Sequence, residues 1–393
     1  MRCELPYEQE IEQYRVHFPH CRQGIVYLDH AATGPMPTPV VEAVQRYLEH
    51  RQNGQSGLEW EMECIQRARE QIARLVGASS ARSIALMPNT TMGLAIVALS
   101  LSWKAGDVIV LGAQEFPANV YPWRSLERFG VELRFVPMPD GRLPLERVCA
   151  AFDERVRLVA LSAVQFLSGY RADLEQVGRM CREHGILLVV DGMQAVGAVR
   201  LHVEQAQVAA LACGGAKWLL APHGTGFLYV APELLERLNP AVLGWLAAEE
   251  PWDFFAFHQP LARTARRFEG GSLNIGGVVG LCAAVELLQE YGPERIEKRV
   301  LALSGLLRER LQEVLPGAHI LTPAEPEQRA GIVAVELPHR ELAAEVVAEL
   351  ARRCVRCSAR LHYVRFSPHW YNTADEIEYA VAAMAEIWAT LGK

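Results

Sequence analysis

A chain of 393 residues, half of them hydrophobic, has material for one large α/β unit and a smaller second one. Its 46 acidic residues against 39 basic ones leave a net charge of -7, which speaks against nucleic acid as the main partner. Nine scattered cysteines speak against a disulfide framework, and no uninterrupted apolar run approaches the length of a membrane span. The first ten residues carry acids where a signal peptide needs basic and then apolar residues, so cytoplasmic residence is the expectation.

From the amino end, residues 24–29 read as a short strand running into the small-residue turn His30-Ala31-Ala32-Thr33-Gly34-Pro35. Residues 39–50 and 58–76 space apolar residues among charges as amphipathic helices do, and Gly77 closes the second. Residues 83–87 form a predicted strand, followed by Asn89-Thr90-Thr91 and a helix-like run over 94–101. Thr90 and Thr91 suit either of two tasks at that helix start, capping it or holding a phosphate against its free N–H groups. Asn89-Thr90-Thr91 also fits a glycosylation sequon, which has no use in a chain that is not exported.

Strands are predicted at 107–111, 131–137, 156–162 and 186–191, alternating with helical stretches of which 173–184 is the last. Such alternation implies parallel βαβ units with ligands at the carboxyl ends of the strands. The run Leu187-Leu188-Val189-Val190-Asp191 ends in an acid, and Gly214-Gly215-Ala216-Lys217-Trp218 carries a glycine-flanked lysine. A lysine buried among apolar residues loses part of its preference for the charged form, so Lys217 reads as a Schiff-base lysine. An aspartate at the end of a buried strand ion-pairs a pyridinium nitrogen or caps a helix; with Lys217 downstream, Asp191 takes the first role, opposite pyridoxal phosphate. Gln194, three positions on, lies within reach of the cofactor's phenolic oxygen. A nicotinamide-binding reading fails, because His223-Gly224-Thr225-Gly226 runs into a predicted strand at 227–230 and lacks the final glycine.

Beyond these lie a glycine-rich loop, Glu269-Gly270-Gly271-Ser272, helices predicted at 278–291, 294–315 and 341–353, and a strand at 331–337. Cys354 and Cys357 have CxxC spacing without the second pair a zinc site needs. The last informative stretch, 360–373, contains Arg360 and Arg365, whose planar forks suit a substrate carboxylate.

Asp191-Gly192-Met193-Gln194, then Ala216-Lys217-Trp218-Leu219, then Gly224-Thr225-Gly226-Phe227, in that order and spacing, resemble the class V aminotransferase-like pyridoxal-phosphate family of cysteine desulfurases, kynureninases and isopenicillin N epimerase. The resemblance implies a fold-type-I α/β architecture: an N-terminal segment 1–23, a large cofactor domain 24–275 with a mostly parallel sheet between helices, and a small α+β domain 276–393. It implies phosphate binding by Thr90 and Thr91, ring stacking by Phe116, and a substrate site near His30 and Ala31. It further implies a homodimer in which Ser272 reaches the partner's cofactor, and carboxylate recognition by Arg365 with Arg360 as a second candidate. The substrate class is a small amino acid or amine, handled by lyase or aminotransferase chemistry. Alternatives are a desulfurase using a cysteine elsewhere in the chain, an amino-acid epimerase, and a scaffold without turnover. Two departures stand out. Relatives carry Ser-Gly-His before the lysine where this chain has Gly214-Gly215-Ala216, which removes two phosphate contacts and leaves Trp218, His223 or water to replace them. One desulfurase branch carries a thiol just before the arginine, where this chain has Leu361-His362-Tyr363-Val364.

Overall fold

Short strand β1 (Val26–Tyr27) leads from the amino-terminal segment to a seven-stranded sheet. That sheet is built from β2 (Ile84–Leu86), β3 (Val108–Gly112), β4 (Glu132–Val136), β5 (Val156–Ser162), β6 (Leu187–Asp191), β7 (Ala210–Gly214) and β8 (Gly226–Val230). The computed structural model describes residues 5–55 and 57–391. Spatial order is β2-β8-β7-β6-β5-β3-β4, and only β8 runs against its neighbours. The inner strands are buried on both faces, the condition under which a strand reads as a continuous apolar run instead of an alternating one. β7 is the strand that sequence patterning does not single out. Its Ala-Leu-Ala-Cys-Gly composition has low strand propensity, and full burial between β6 and β8 overrides it.

Helices Thr38–Gln52, Leu58–Val76 and Ile275–Tyr291 cover one face, with Val40, Ile72, Leu281 and Leu288 in one apolar core. Helix Ile275–Tyr291 packs in the large core, which continues along the next helix through Ile296 and Val300 before Leu303 turns to the second core. The second core is built on a four-stranded antiparallel sheet of β9 (His319–Ile320), β10 (Val333–Glu336), β12 (Ser358–Arg360) and β13 (Tyr363–Phe366), ordered β12-β13-β10-β9. Helices Pro293–Val314, Ala343–Arg352 and Ala374–Leu391 pack on it. Leu5, Val26 and Leu28 lie in this second core too, and β1 pairs with β11 (Val355–Arg356) in parallel, while Ile11 and Phe18 lie in the first core, so the amino-terminal segment bridges the two. Among the described residues no helix is long and apolar enough to cross a membrane.

Candidate active site

Asp191 ends β6 with its side chain buried and Oδ1 accepting from Met193 N–H at 2.8 Å. Burial pushes its carboxyl up to about 7; the Met193 N–H and Lys217 oppose this, while Glu115 adds to it. Lys217 follows β7, and its amine is driven down to about 8, first by burial and then against the pull of Asp191. Both shifts run toward the neutral forms, because burial penalises charge. Gly34 is required beside this lysine. Its N–H donates to Ala216 O at 2.8 Å, and a Cβ there would lie 2.2 Å from Lys217 O.

Phe116 stands 5.5 Å, centroid to Nζ, from Lys217 and meets Phe166 edge-on at 5.2 Å. It is 42 % exposed, an open aromatic face above a buried amine. The preceding residue, Glu115, is buried beneath it and takes hydrogen bonds from Ser162 Oγ, Ser162 N at 3.0 Å, Gln165 Nε2 at 2.8 Å and Asn119 Nδ2 at 3.1 Å. Because Ser162 is the register partner of Asp191, this network fixes the loop carrying Phe116 to the strand end carrying the acid.

Thr90 begins helix Thr90–Ser100, capped by Asn89 Oδ1 accepting from Met92 N–H. Its hydroxyl accepts from Gly214 N–H at 3.0 Å and points at Met193 Sδ, 3.5 Å away, while Thr91 is exposed on the first turn. A Cβ added at Gly214 would sit 3.2 Å from Met193 Sδ and 3.5 Å from Thr90 Oγ1. Met193 thus fills the space a serine at 214 would need, so the loss at 214 and the long side chain at 193 compensate in volume. Trp218 is not free to replace the lost contacts, since its Nε1–H donates to Gln194 Oε1 at 2.8 Å; His223 is exposed.

Gln194 also donates from Nε2 to Ala31 O at 3.0 Å. His30 is fully buried, with Nδ1 against Ser367 O and Nε2 against Tyr371 OH, both at 2.8 Å. Both ring nitrogens are therefore spent on holding the His30–Ala31 turn to the small domain. Ala31 N–H donates to Ser367 Oγ, and His369 Nε2 lies 2.9 Å from Trp218 O, extending the same seam.

Arg365, on β13, reaches across from the small domain. Nη1 donates to Phe166 O at 2.7 Å, and Nη2 stands 3.8 Å from Asp29 Oδ1. Nε and Nη2 are buried without a hydrogen-bond partner, and burial lowers the guanidinium to about 10, with Arg360 adding to the effect and Asp29 opposing it. Two unpaired donors on one edge of a fork are expensive to bury and match the two oxygens of a carboxylate. Arg360 is half-buried, with Nη1 on Ala359 O, and its charge acts on both Lys217 and Arg365. Ser272 is exposed and far from this cluster in sequence order; it borders a groove of about 390 Å³ shared with Pro88, Met92, Gly224 and Thr225. Sequence reasoning missed Glu115, Phe166, Asp29, Met193 and His369. Only Glu115, an acid immediately before the aromatic, carried a readable signal.

A buried carboxylate, an amine lowered by burial, an open aromatic face and a helix N-terminus converge at the strand ends, a donor set that fits pyridoxal phosphate. The family model for Aminotransferase class-V matches residues 26–380, and the chain belongs to that family; pyridoxal phosphate is its cofactor. It is 31 % identical to the probable cysteine desulfurase of Methanothermobacter thermautotrophicus, covering 92 % of this chain and 94 % of that one. The apo cysteine desulfurase of Thermococcus onnurineus superposes with a TM-score of 0.87 at 28 % identity, covering 97 % and 98 % of the two chains. The cystine C–S lyase C-DES, solved with its product cysteine persulfide, superposes with a TM-score of 0.85 at 26 % identity over 94 % and 99 %.

Proposed function

We propose that this protein is a pyridoxal-phosphate-dependent C–S lyase that cleaves the Cβ–S bond of a disulfide amino acid such as cystine, releasing the sulfur as a free persulfide. When bound, the cofactor supplies the electron sink that allows the α-proton to leave and the β-sulfur group to depart with its electron pair. Overall, cystine and water give pyruvate, ammonia and cysteine persulfide. Lys217 is the covalent anchor and its Nζ takes the α-proton; Asp191 holds the proton on the ring nitrogen. With the cofactor bound, Phe116 would cover its ring, the remaining N–H of Gln194 would serve its phenolic oxygen, and Thr90 with Thr91 would hold its phosphate. The free Nε–Nη2 edge of Arg365 receives the α-carboxylate, with Arg360 reinforcing it, and the His30–Ala31 turn walls the substrate space.

The observation that favours free release over a protein-bound persulfide is the missing thiolate. The β12–β13 turn presents Leu361, 81 % exposed, where a thiol would have to stand. Among the described cysteines, Cys213 and Cys357 are the two with electrostatic links to this site, and burial pushes both thiols far up. Incubation with cystine is expected to give pyruvate and free persulfide. If cysteine instead loads a persulfide onto the protein at a comparable rate, read by intact-mass analysis, the reading is wrong.

Arg365→Ala tests the substrate end. It is expected to raise KM for the disulfide amino acid by the equivalent of about 2 to 5 kcal/mol, with a smaller change in kcat. Unchanged kinetics would remove Arg365 from the substrate site.

The functional unit under this proposal is a cytoplasmic homodimer. Trp245, Trp252, Phe254, Phe255 and Phe257 are exposed together, and Trp245 and Trp252 border a cavity of about 480 Å³ with Ser272. An exposed aromatic group of this kind marks a protein contact. With Ser272 reaching the partner's cofactor, mixing Lys217→Ala and Ser272→Ala chains yields heterodimers with one doubly damaged and one intact site. Activity should return on subunit exchange; none returning despite proven exchange places Ser272 within its own chain's site.

A further inference from the structure

Outside the catalytic cluster, a cavity of about 530 Å³ opens between the two domains. Phe166 and Glu115 wall it on the large-domain side, and the turn through Leu361 and His362 on the other. Phe166 is also the residue that meets Phe116 and accepts from Arg365, so the cavity begins where the catalytic site ends. Its volume lies in the range of small-molecule pockets, about 300–1,000 Å³, beyond the needs of a three-carbon amino acid.

The far wall is made by the end of the small sheet. Register places Glu336 opposite both Tyr363 and His319, so three side chains stand in one row across β13, β10 and β9. Glu336 is the hub: it pairs with Arg340 four residues on, lies 3.5 Å from His319 Nδ1, and lies 3.4 Å from His362 Nε2. Across the gap stands Asp140, a non-glycine residue at φ 51, close enough to Tyr363 to act on its hydroxyl. A left-handed backbone at an aspartate directly before a left-handed Gly141 is a conformation held at some cost, and such residues collect at ligand sites. The wall therefore offers acceptors in Asp140 and Glu336 and donors in Arg340, His319 and His362.

We propose that this cavity is a second amino-acid-head subsite, taking the distal ammonium and carboxylate of a disulfide amino acid whose near half is held by Arg365. A wall of mixed sign suits a zwitterion, whereas a purely anionic or cationic group would meet a like charge there. The inference rests on the C–S lyase reading, and it names the feature that separates a two-headed substrate from a one-headed one. Arg340 and Asp140 belong to no part of the catalytic cluster, and asparagine tolerates the left-handed backbone at 140.

The test uses the holoenzyme and its Arg340→Ala and Asp140→Asn variants. Cystine and β-chloroalanine, which has no distal head, are compared as substrates, and cystine and alanine as ligands by calorimetric titration. Each variant is expected to lower kcat/KM for cystine about tenfold, through KM, with β-chloroalanine unchanged, and to narrow the cystine-to-alanine affinity ratio by a similar factor. Equal effects on both substrates, or none on cystine, would overturn the subsite. Should the wild type bind cystine without cleaving it, the lyase reading fails, and the affinity ratio alone still decides the subsite.

Discussion

Lys217→Ala is expected to abolish turnover, by at least about 10³-fold, because under the proposed function one substitution removes both the covalent anchor and the group that moves the α-proton. The amine is suited to both tasks by its surroundings. Burial lowers its pKa to about 8, so the neutral amine is far more populated near neutral pH than in an ordinary lysine, while Asp191 keeps the shift from going further. Borohydride reduction of the holoenzyme should fix the cofactor to the peptide containing Lys217, found by mass analysis, and the variant should show no such adduct. An adduct on Lys104 or Lys298 in the wild type would move the anchor elsewhere. The fold should survive, since Lys217 makes no side-chain ion pair among the described residues and the neighbouring packing is carried by Gly34 and Trp218.

The second large effect is expected from Asp191→Ala, a loss of about 10²- to 10³-fold in kcat with the cofactor still attached. Charge opposite the ring nitrogen is needed for carbanion stabilisation and not for attachment, so the two readouts should separate. Wild-type turnover in the folded variant would refute the role.

The cofactor-free protein provides an independent check on Asp191. Its carboxyl is raised from 3.8 to about 7, so between those values the folded state holds a proton that the unfolded state has lost. Asp191's share of the stability must then fall as pH rises through that window, by up to on the order of 4 kcal/mol, against the opposite contribution of the buried His30 and His369, whose lowered values favour folding as pH rises. Asp191→Asn should flatten this slope, and cofactor binding should do the same by supplying the missing positive charge. A slope unchanged by Asp191→Asn would assign the titration to another group.

Much of this was legible before any coordinates, for reasons that differ by element. β5 and β6 were readable because strands buried on both faces need continuous apolar runs, and helix Leu58–Val76 because its apolar residues recur at helical spacing and Gly77 stops it at a positive φ of 69°. The placement of Asp191 and Lys217 at the ends of adjacent strands was readable because the apolar run before the acid and the glycines before the lysine are local in sequence. Folding decided the rest. β7 exists as a strand only through its neighbours. The resemblance places His30 near the substrate site, and Ser367 and Tyr371, more than 330 positions away, occupy both its nitrogens. Likewise, Arg365 keeps a free fork edge because Phe166 O takes one arm and burial leaves the other edge unpaired. Local order along the chain determines strand ends and the groups they carry; which polar groups are spent and which remain free is set by contacts between distant segments, and no sequence window contains them.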